Sequence, residues 1–288
     1  MSGGRGEKTA QSLSLIVAVY NRPDALRLVL AACALQTLKP SQIVIADDGS
    51  GPAIAETVRD ARKQYMLTIT HVRHDDAGWR KNRILNDAVR VSAHDYLVFI
   101  DGDCVPHRRF FEDHAAASAH RTVVCGRRVE LSPSWTARIT LDTIRSGAYQ
   151  RIGPAALWEG VRGRALRLED GLRLPLLARL AHRGARGMLG SNFSLWKDDL
   201  ESINGFDEEY AGPGCGEDSD VEYRLGLAGV APRVVRHRAI QYHLWHPRGV
   251  MSEQSIARFA RVRAEARAVC EHGLAERRVH AVQAEEQV

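Results

Sequence analysis

The sequence predicts an α/β protein with a mainly parallel sheet flanked by helices. Three observations carry that expectation. Short apolar runs of strand length recur through the first third of the chain, stretches of helical period separate them, and three of the runs end in polar clusters. Continuous apolar strands separated by helices imply a parallel sheet covered on both faces. In such sheets ligands bind beyond the carboxyl ends of the strands.

The elements follow in order. Leu13 to Val19 (LSLIVAV) has strand chemistry. Pro23 to Leu35 has helical spacing, with Leu26, Val29, Leu30 and Cys33 on one face and Pro at the start, where its missing N–H costs nothing. Ile43 to Ala46 predicts a second strand, Ala53 to Gln64 a helix, and Leu67 to Val72 a third strand. Trp79 to Val91 is helical in period, with Ile84, Leu85, Ala88 and Val89 on one side. Tyr96 to Ile100 predicts a fourth strand. The polar clusters are Tyr20-Asn21-Arg22, Asp47-Asp48-Gly49-Ser50 and Asp101-Gly102-Asp103, so the fold gathers distant residues at one sheet edge. Regularity breaks after about Arg128. Order returns over Met188 to Leu195, a helix near Lys197 to Ile203, a helical Glu217 to Leu227, and extended segments from Arg233 to Leu244. The expected organisation is a loose tail over 1–11, a main unit over 12–250 and a helical tail over 251–288. Within the unit, 12–130 forms a regular strand–helix half, 132–187 a basic insertion, and 188–250 a second ordered half.

Composition narrows the class. The 288 residues include 44% hydrophobic and 26% charged, which excludes a mainly disordered chain. No apolar run approaches the ~18 residues of a membrane span, and the opening MSGGRGEKTAQ lacks a secretory signal, so a cytoplasmic location is expected. Five scattered cysteines without a CxxC pair argue against a disulfide framework or a cysteine-based zinc site. The net charge of +5 is a mild excess, compatible with an anionic small molecule, a membrane surface or nucleic acid.

Asp101 and Asp103 lie two apart at a strand end, on one face if extended. Close carboxylates repel, and a hard divalent cation such as Mg²⁺ or Mn²⁺ relieves this. The plain alternative is a solvated Asp-Gly-Asp turn. Further on, Gly214-Cys215-Gly216 feeds the acidic helix start Glu217-Asp218. Those acids either complement the helix dipole or place a general base. His243 and His246 have an odd offset, so on a continuous strand they face opposite ways and only one joins an acidic site, unless the chain turns between them.

Together these segments resemble the family 2 glycosyltransferases of GT-A fold, over about Leu13 to His246. Ser14 to Arg22 looks like the first nucleotide-binding segment of that family, Ile43 to Ser50 like the second, and Val98 to Asp103 like its DxD motif. Gly190-Ser191-Asn192-Phe193, Asn204-Gly205-Phe206-Asp207 and Gly216-Glu217-Asp218 are similar to the segments leading to its catalytic carboxylate. Asp76 to Lys81 with Asn86, and the His-Leu-Trp-His-Pro ending, are similar to a bacterial subgroup that builds capsule and lipopolysaccharide glycans. The resemblance implies roles. Asp48, with Asp47 beside it, contacts the base, and Tyr20 and Arg22 line the same pocket. Arg80 and Lys81 contact the nucleotide or its diphosphate. Asp101 contacts ribose or metal-bound water, Asp103 and His243 ligate Mn²⁺ or Mg²⁺ with His246 as the fallback, and Asn192 lines the sugar side. Asp218 is the base of an inverting transfer, with Glu217 orienting the acceptor. The implied donor is a nucleotide sugar, a UDP-hexose or UDP-N-acetylhexosamine, and the acceptor a glycan or a lipid-linked acceptor.

One departure stands out. Relatives often carry an aromatic residue just before Gly-Glu-Asp, where this chain has Gly212-Pro213-Gly214-Cys215, so Trp245 or Trp158 is the expected substitute platform. The arginine-rich insertion reads either as a solvated face or as a peripheral contact with anionic lipid on the inner membrane face. Two rivals remain. A nucleic-acid binder is opposed by the acidic sheet edge and the lack of a reader motif. A nucleotidyltransferase explains the Gly-Glu-Asp segment less well.

Overall fold

Four of the apolar runs become parallel neighbours: β1 (Ser14–Val19), β2 (Gln42–Asp47), β3 (Ile69–Arg73) and β4 (Tyr96–Asp101). The computed structural model describes residues 10, 12–151, 168–174, 187–214, 216, 218–247 and 249–276. β1 is central, pairing in parallel with β2 on one side and β4 on the other, and β3 lies outside β2. The carboxyl ends of β1, β2 and β4 therefore lie side by side, and each carries one of the polar clusters.

The helices between them are α1 (Pro23–Ala34), α2 (Pro52–Tyr65) and α3 (Lys81–Val91). Both α1 and α2 open on proline. Leu26, Val29, Leu30 and Cys33 of α1 are buried, as are Ile84, Leu85, Ala88 and Val89 of α3, so each expected face is the packed one. The β1 side chains alternate between layers. Leu15 and Val17 join the core that contains α1 and α2, and Ile16 joins the core that contains α3. Burying such a side chain stabilises the fold by ~1.5–3 kcal/mol, and both faces of the sheet gain it. Two boundaries move. α2 runs into a left-handed Met66 (φ 52°), so β3 starts at Ile69 rather than Leu67. α3 starts at Lys81 rather than Trp79, because the Arg80 N–H donates to the Asp48 side chain instead of entering a helical turn.

Beyond β4 the topology is not legible in the apolar pattern, because the strands are short and carry polar residues. β5 (Cys104–Pro106), a helix at Phe110–Ala117, β6 (Thr122–Cys125) and β7 (Arg127–Glu130) follow, then β8 (Asn192–Trp196), β9 (Ala231–Val234) and β10 (Ile240–His243). The large sheet has the order β3-β2-β1-β4-β8-β6-β9, with β8 antiparallel to both β4 and β6. A small sheet, β5-β10-β7, stands at the end of β4 and carries the histidine segment. The extended stretch expected from Arg233 to Leu244 is broken between β9 and β10 by left-handed His237 and Ala239.

The chain termini of the described part are docked. Ala10 is buried and its N–H donates to Ser118 Oγ. The helix Glu253–Glu265 is capped by Ser252, and the segment after it packs on the main unit. Arg90 Nη2 donates to the Gly273 carbonyl, Arg90 Nε to the Leu274 carbonyl, and Arg258 pairs with Asp207. Among the described residues no helix is long and apolar enough to cross a membrane.

Candidate active site

A cleft of about 220 Å³ opens where β1, β2 and β4 end, lined by Tyr20, Arg22, Asp48, Lys81, Asp101 and Asp103 among others. β4 ends at Asp101, whose Oδ1 accepts from Lys81 Nζ at 2.9 Å. Burial works against ionisation of Asp101, but the Lys81 charge and hydrogen bond outweigh it and lower its pKa. The turn to Asp103 requires glycine. A Cβ on Gly102 would lie 2.6 Å from Val19 Cγ1 and 3.1 Å from the Ala18 carbonyl oxygen. The two aspartates thus share the cleft but hold different partners.

Asp103 is the meeting point of three distant segments. Its Oδ2 accepts from Arg22 Nη1 at 2.6 Å and lies 3.4 Å from His246 Nε2, while Oδ1 lies 3.6 Å from His243 Nε2. Both histidines therefore reach it, which is the alternative in which the chain turns between them. β10 ends at His243, and Leu244 N donates to the Asp103 carbonyl at 2.9 Å, so the chain turns and brings His246 back. The two imidazoles meet edge to face with centroids 5.1 Å apart. The ligand atoms of Asp103, His243 and Cys104 lie within 4.8 Å of one another, and His246 approaches the other carboxylate oxygen, a set that fits a divalent cation of intermediate hardness such as Mn²⁺. Cys104 Sγ donates to Asp103 Oδ1 at 3.6 Å, and burial, with the charges of Asp103 and Asp101, pushes its thiol pKa well up.

The residues around His243 were not singled out in the sequence. Glu130 Oε2 lies 2.8 Å from His243 Nδ1, and Oε1 accepts from Arg128 Nε at 2.8 Å. Burial alone would raise the Glu130 pKa, yet the His243 hydrogen bond and the Arg128 charge hold it down to about 2. Their segment, Arg-Arg-Val-Glu, sits where the apolar periodicity fails, and only the pairing of β7 with β10 makes it part of the site.

Asp47 and Asp48 separate. Neighbours on an extended segment point to opposite faces. Asp48 lines the cleft, with Oδ1 2.6 Å from His74 Nε2 and Oδ2 accepting the Arg80 N–H at 3.1 Å. Asp47 is fully buried, accepts from Ser50 N at 2.8 Å and lies 3.0 Å from His71 Nε2. Asp47 therefore braces the turn rather than joining the base pocket. Tyr20 is about half exposed and donates to Asp76 at 3.1 Å, bridging the loop that carries Trp79. Lys81 and Trp79 line the cleft. The Arg80 side chain folds back on the Asp75 carbonyl, so of the expected cation pair only Lys81 faces it.

Asn192 is a second correction. It is fully buried, its Nδ2 donates to the Arg127 and Ala239 carbonyls at 2.8 Å each, and its Oδ1 is 3.0 Å from His114 Nε2. Its hydrogen-bonding capacity joins the two sheets and does not line a sugar site. Asp218 caps the helix Ser219–Leu227, accepting from Ser219 N and Oγ through Oδ1, while its Oδ2 has no partner among the described residues. Glu217 and Trp158 lie outside the described residues. Asn82, next to Lys81, donates to the carbonyls of Asp207 (2.8 Å) and Gly216 (3.4 Å), tying α3 to the turn before Asp218. Trp245 is 46% exposed, and its carbonyl accepts from Arg22.

Residues 14–167, more than half of the chain, match the family model described as glycosyl transferase family 2. The chain belongs to this family. Residues 181–247 match a second model, described as the N-terminal domain of galactosyltransferase. Among curated relatives of this family 2 glycosyltransferase, the chondroitin synthase of Escherichia coli is 27% identical over 83% of the chain and 35% of that protein. The validoxylamine A glucosyltransferase of Streptomyces hygroscopicus subsp. limoneus is 26% identical over 78% of the chain and 50% of that protein. The hyaluronan synthase of Pasteurella multocida is 26% identical over 77% and 24%. The chain thus spans half or less of the length of these relatives. Solved GT-A structures share the fold. The mannosyltransferase PcManGT of Pyrobaculum calidifontis, in complex with GDP-Man and Mn²⁺, gives a TM-score of 0.53 at 17% identity, covering 85% of this chain and 60% of that one. S. aureus TarS gives 0.58 at 17% identity, covering 92% and 41%.

Proposed function

We propose that this chain carries out an inverting, divalent-cation-dependent transfer of a sugar from a UDP sugar to an acceptor hydroxyl in surface-glycan synthesis. The observation that carries it is the convergence of Asp103, His243 and His246 at a cleft that also holds Asp48, Lys81 and Asp101. Asp103 and the two histidines would hold the cation, and their mixed oxygen and nitrogen set suits Mn²⁺ better than Mg²⁺. When bound, the cation offsets negative charge on the leaving diphosphate. Arg22, now on Asp103, is placed to turn to the diphosphate when the cation takes that carboxylate. Lys81 contributes a second positive charge, Asp101 faces the ribose, and Asp48 accepts from the base, a role suited to the N3–H of uracil. Tyr20 and Trp79 present aromatic surface beside it. Asp218, through Oδ2, takes the proton of the attacking hydroxyl as the anomeric bond to the diphosphate breaks on the opposite face. Glu217 orients the acceptor, a glycan or lipid-linked glycan, and Trp245 offers it an exposed ring.

The residue-range division into nucleotide-binding half, basic insertion, acceptor half and C-terminal helical tail is part of the same proposal. So is a peripheral contact of the 132–187 arginines with anionic lipid at the cytoplasmic membrane face. Loss of co-sedimentation with anionic vesicles after neutralising Arg162, Arg164, Arg179 and Arg183 would support that contact, and unchanged co-sedimentation would remove it. The main test is calorimetric titration of UDP, GDP and their hexose and N-acetylhexosamine conjugates, each with and without Mn²⁺. Mn²⁺-dependent binding of one UDP sugar is expected. Binding of none in the presence of Mn²⁺ would overturn the reading.

A further inference from the structure

We propose that Glu130, braced by Arg128, is a positioning residue that presents His243 Nε2 to the divalent cation. The inference rests on the cation-dependent reading above. It starts from strand register. β7 and β10 pair in parallel with Glu130 opposite His243, which places the two side chains side by side on one face. The carboxylate spans Arg128 and His243: Oε1 accepts from Arg128 Nε and Oε2 faces His243 Nδ1, each at 2.8 Å. An ionised carboxylate can only accept, so Nδ1 is the nitrogen that donates to Glu130 and Nε2 is the one turned toward Asp103. Nε2 lies 3.6 Å from Asp103 Oδ1, a separation that a shared ligand between them suits better than a direct hydrogen bond.

Arg128 is held in turn. Its Nη1 donates to Ser191 Oγ at 2.9 Å, and Gln241 Nε2, two residues before His243 on β10, donates to the same hydroxyl at 3.1 Å and to the Ser191 carbonyl at 2.8 Å. Three segments therefore join in one partly buried polar network behind the imidazole: β7, β10 and the turn before β8. Rotation of Glu130 away from His243 would break its contact with Arg128 as well. A carboxylate behind a ligating histidine fixes the ring's tautomer and orientation, and its loss typically weakens metal binding ~10–100-fold.

The test is Mn²⁺ affinity of the full chain, read from the electron paramagnetic resonance of free Mn²⁺, with Mn²⁺ alone and with UDP added. Glu130→Gln keeps the shape and one acceptor but loses the charge. If the wild type binds Mn²⁺ and a folded Glu130→Gln protein binds ~10–100-fold more weakly, the positioning role stands. Binding by the folded variant within about twofold of wild type would overturn it while leaving the cation-dependent reading intact. No Mn²⁺ binding by the wild type, with or without UDP, would defeat the cation-dependent reading itself and this role with it. A second measurement needs no Glu130 variant. Nitrogen-15 spectra of the wild type, with His243 assigned by comparison with His243→Gln, should show a proton on Nδ1. A bare Nδ1 would overturn the proposal.

Discussion

Asp103 is held by a guanidinium from the end of β1 and approached by two imidazoles from the end of β10, and no two of these segments are close in sequence. Single side chains here separate chemistry from structure. Asp218→Asn should lower turnover ~10²–10⁴-fold, the usual share of a general base, while leaving UDP affinity within about twofold. Wild-type turnover in that variant would exclude Asp218 as the base. Asn192 behaves oppositely. Asn192→Ala leaves the Arg127 and Ala239 carbonyls without their buried donor, and should cost ~2 kcal/mol or more in urea unfolding with donor affinity unchanged once folded. A loss of donor affinity without a loss of stability would return Asn192 to the sugar site. His114, beside it, gives a pH signature. Burial is the main cause that lowers its pKa to about 4 from the ordinary 6.5, so the unfolded chain takes up the proton first as pH falls. Its contribution to stability is complete above about pH 6.5 and is lost by ~1.4 kcal/mol per pH unit toward pH 4. The pH slope of unfolding free energy should be shallower by that amount in His114→Gln, and equal slopes would contradict the assignment.

At the scale of elements, the site depends on how β4 ends and how α3 begins. Gly102 packs where a side chain would meet Val19 Cγ1 and the Ala18 carbonyl, so Gly102→Ala must shift Asp101 against Asp103. UDP–Mn²⁺ affinity should fall at least ~10-fold, since a displaced ligand set loses most of its favourable geometry. Unchanged affinity by calorimetry would show that the β1–β4 contact does not control the site. The apolar elements are legible in the sequence because their side chains follow periods of 2.0 and 3.6. Leu26, Val29, Leu30 and Cys33 are the buried face of α1 for that reason. The strands β5, β6, β7 and β9 are not legible in the same way. They have three or four residues, and Arg127, Arg128, Glu130 and Arg233 sit in them for polar roles that periodicity does not encode.

For the whole molecule, the segment after Ser252 acts as a strap across residues 204–213. Ser252 N donates to the Pro213 carbonyl and Ser255 Oγ to the Gly212 carbonyl, both in the glycine turn before Asp218. Arg258 pairs with Asp207, and Leu274 N donates to the Asn204 carbonyl. Removing residues 252–288 should lower the melting temperature by several degrees or more, because Asp207, Asn204 and Arg90 lose buried partners. A melting temperature unchanged in calorimetry would mean that the strap does not stabilise the main unit.

By itself the sequence determined the parallel core and the family. Apolar runs at strand length, helical faces between them, and the ordered series of Asp48, Asp101-Gly102-Asp103 and Gly216-Glu217-Asp218 are local patterns, and local patterns survive as text. Only the tertiary structure decided which residues share a site. It turned Asp47 and Asn192 into the core, folded Arg80 away, returned His246 to Asp103, and placed Glu130 behind His243. The physical reason is that these contacts come from the register of β10 against β5 and β7 and from turns after β2, β4 and β10, where the neighbour in space is up to 223 residues away in sequence.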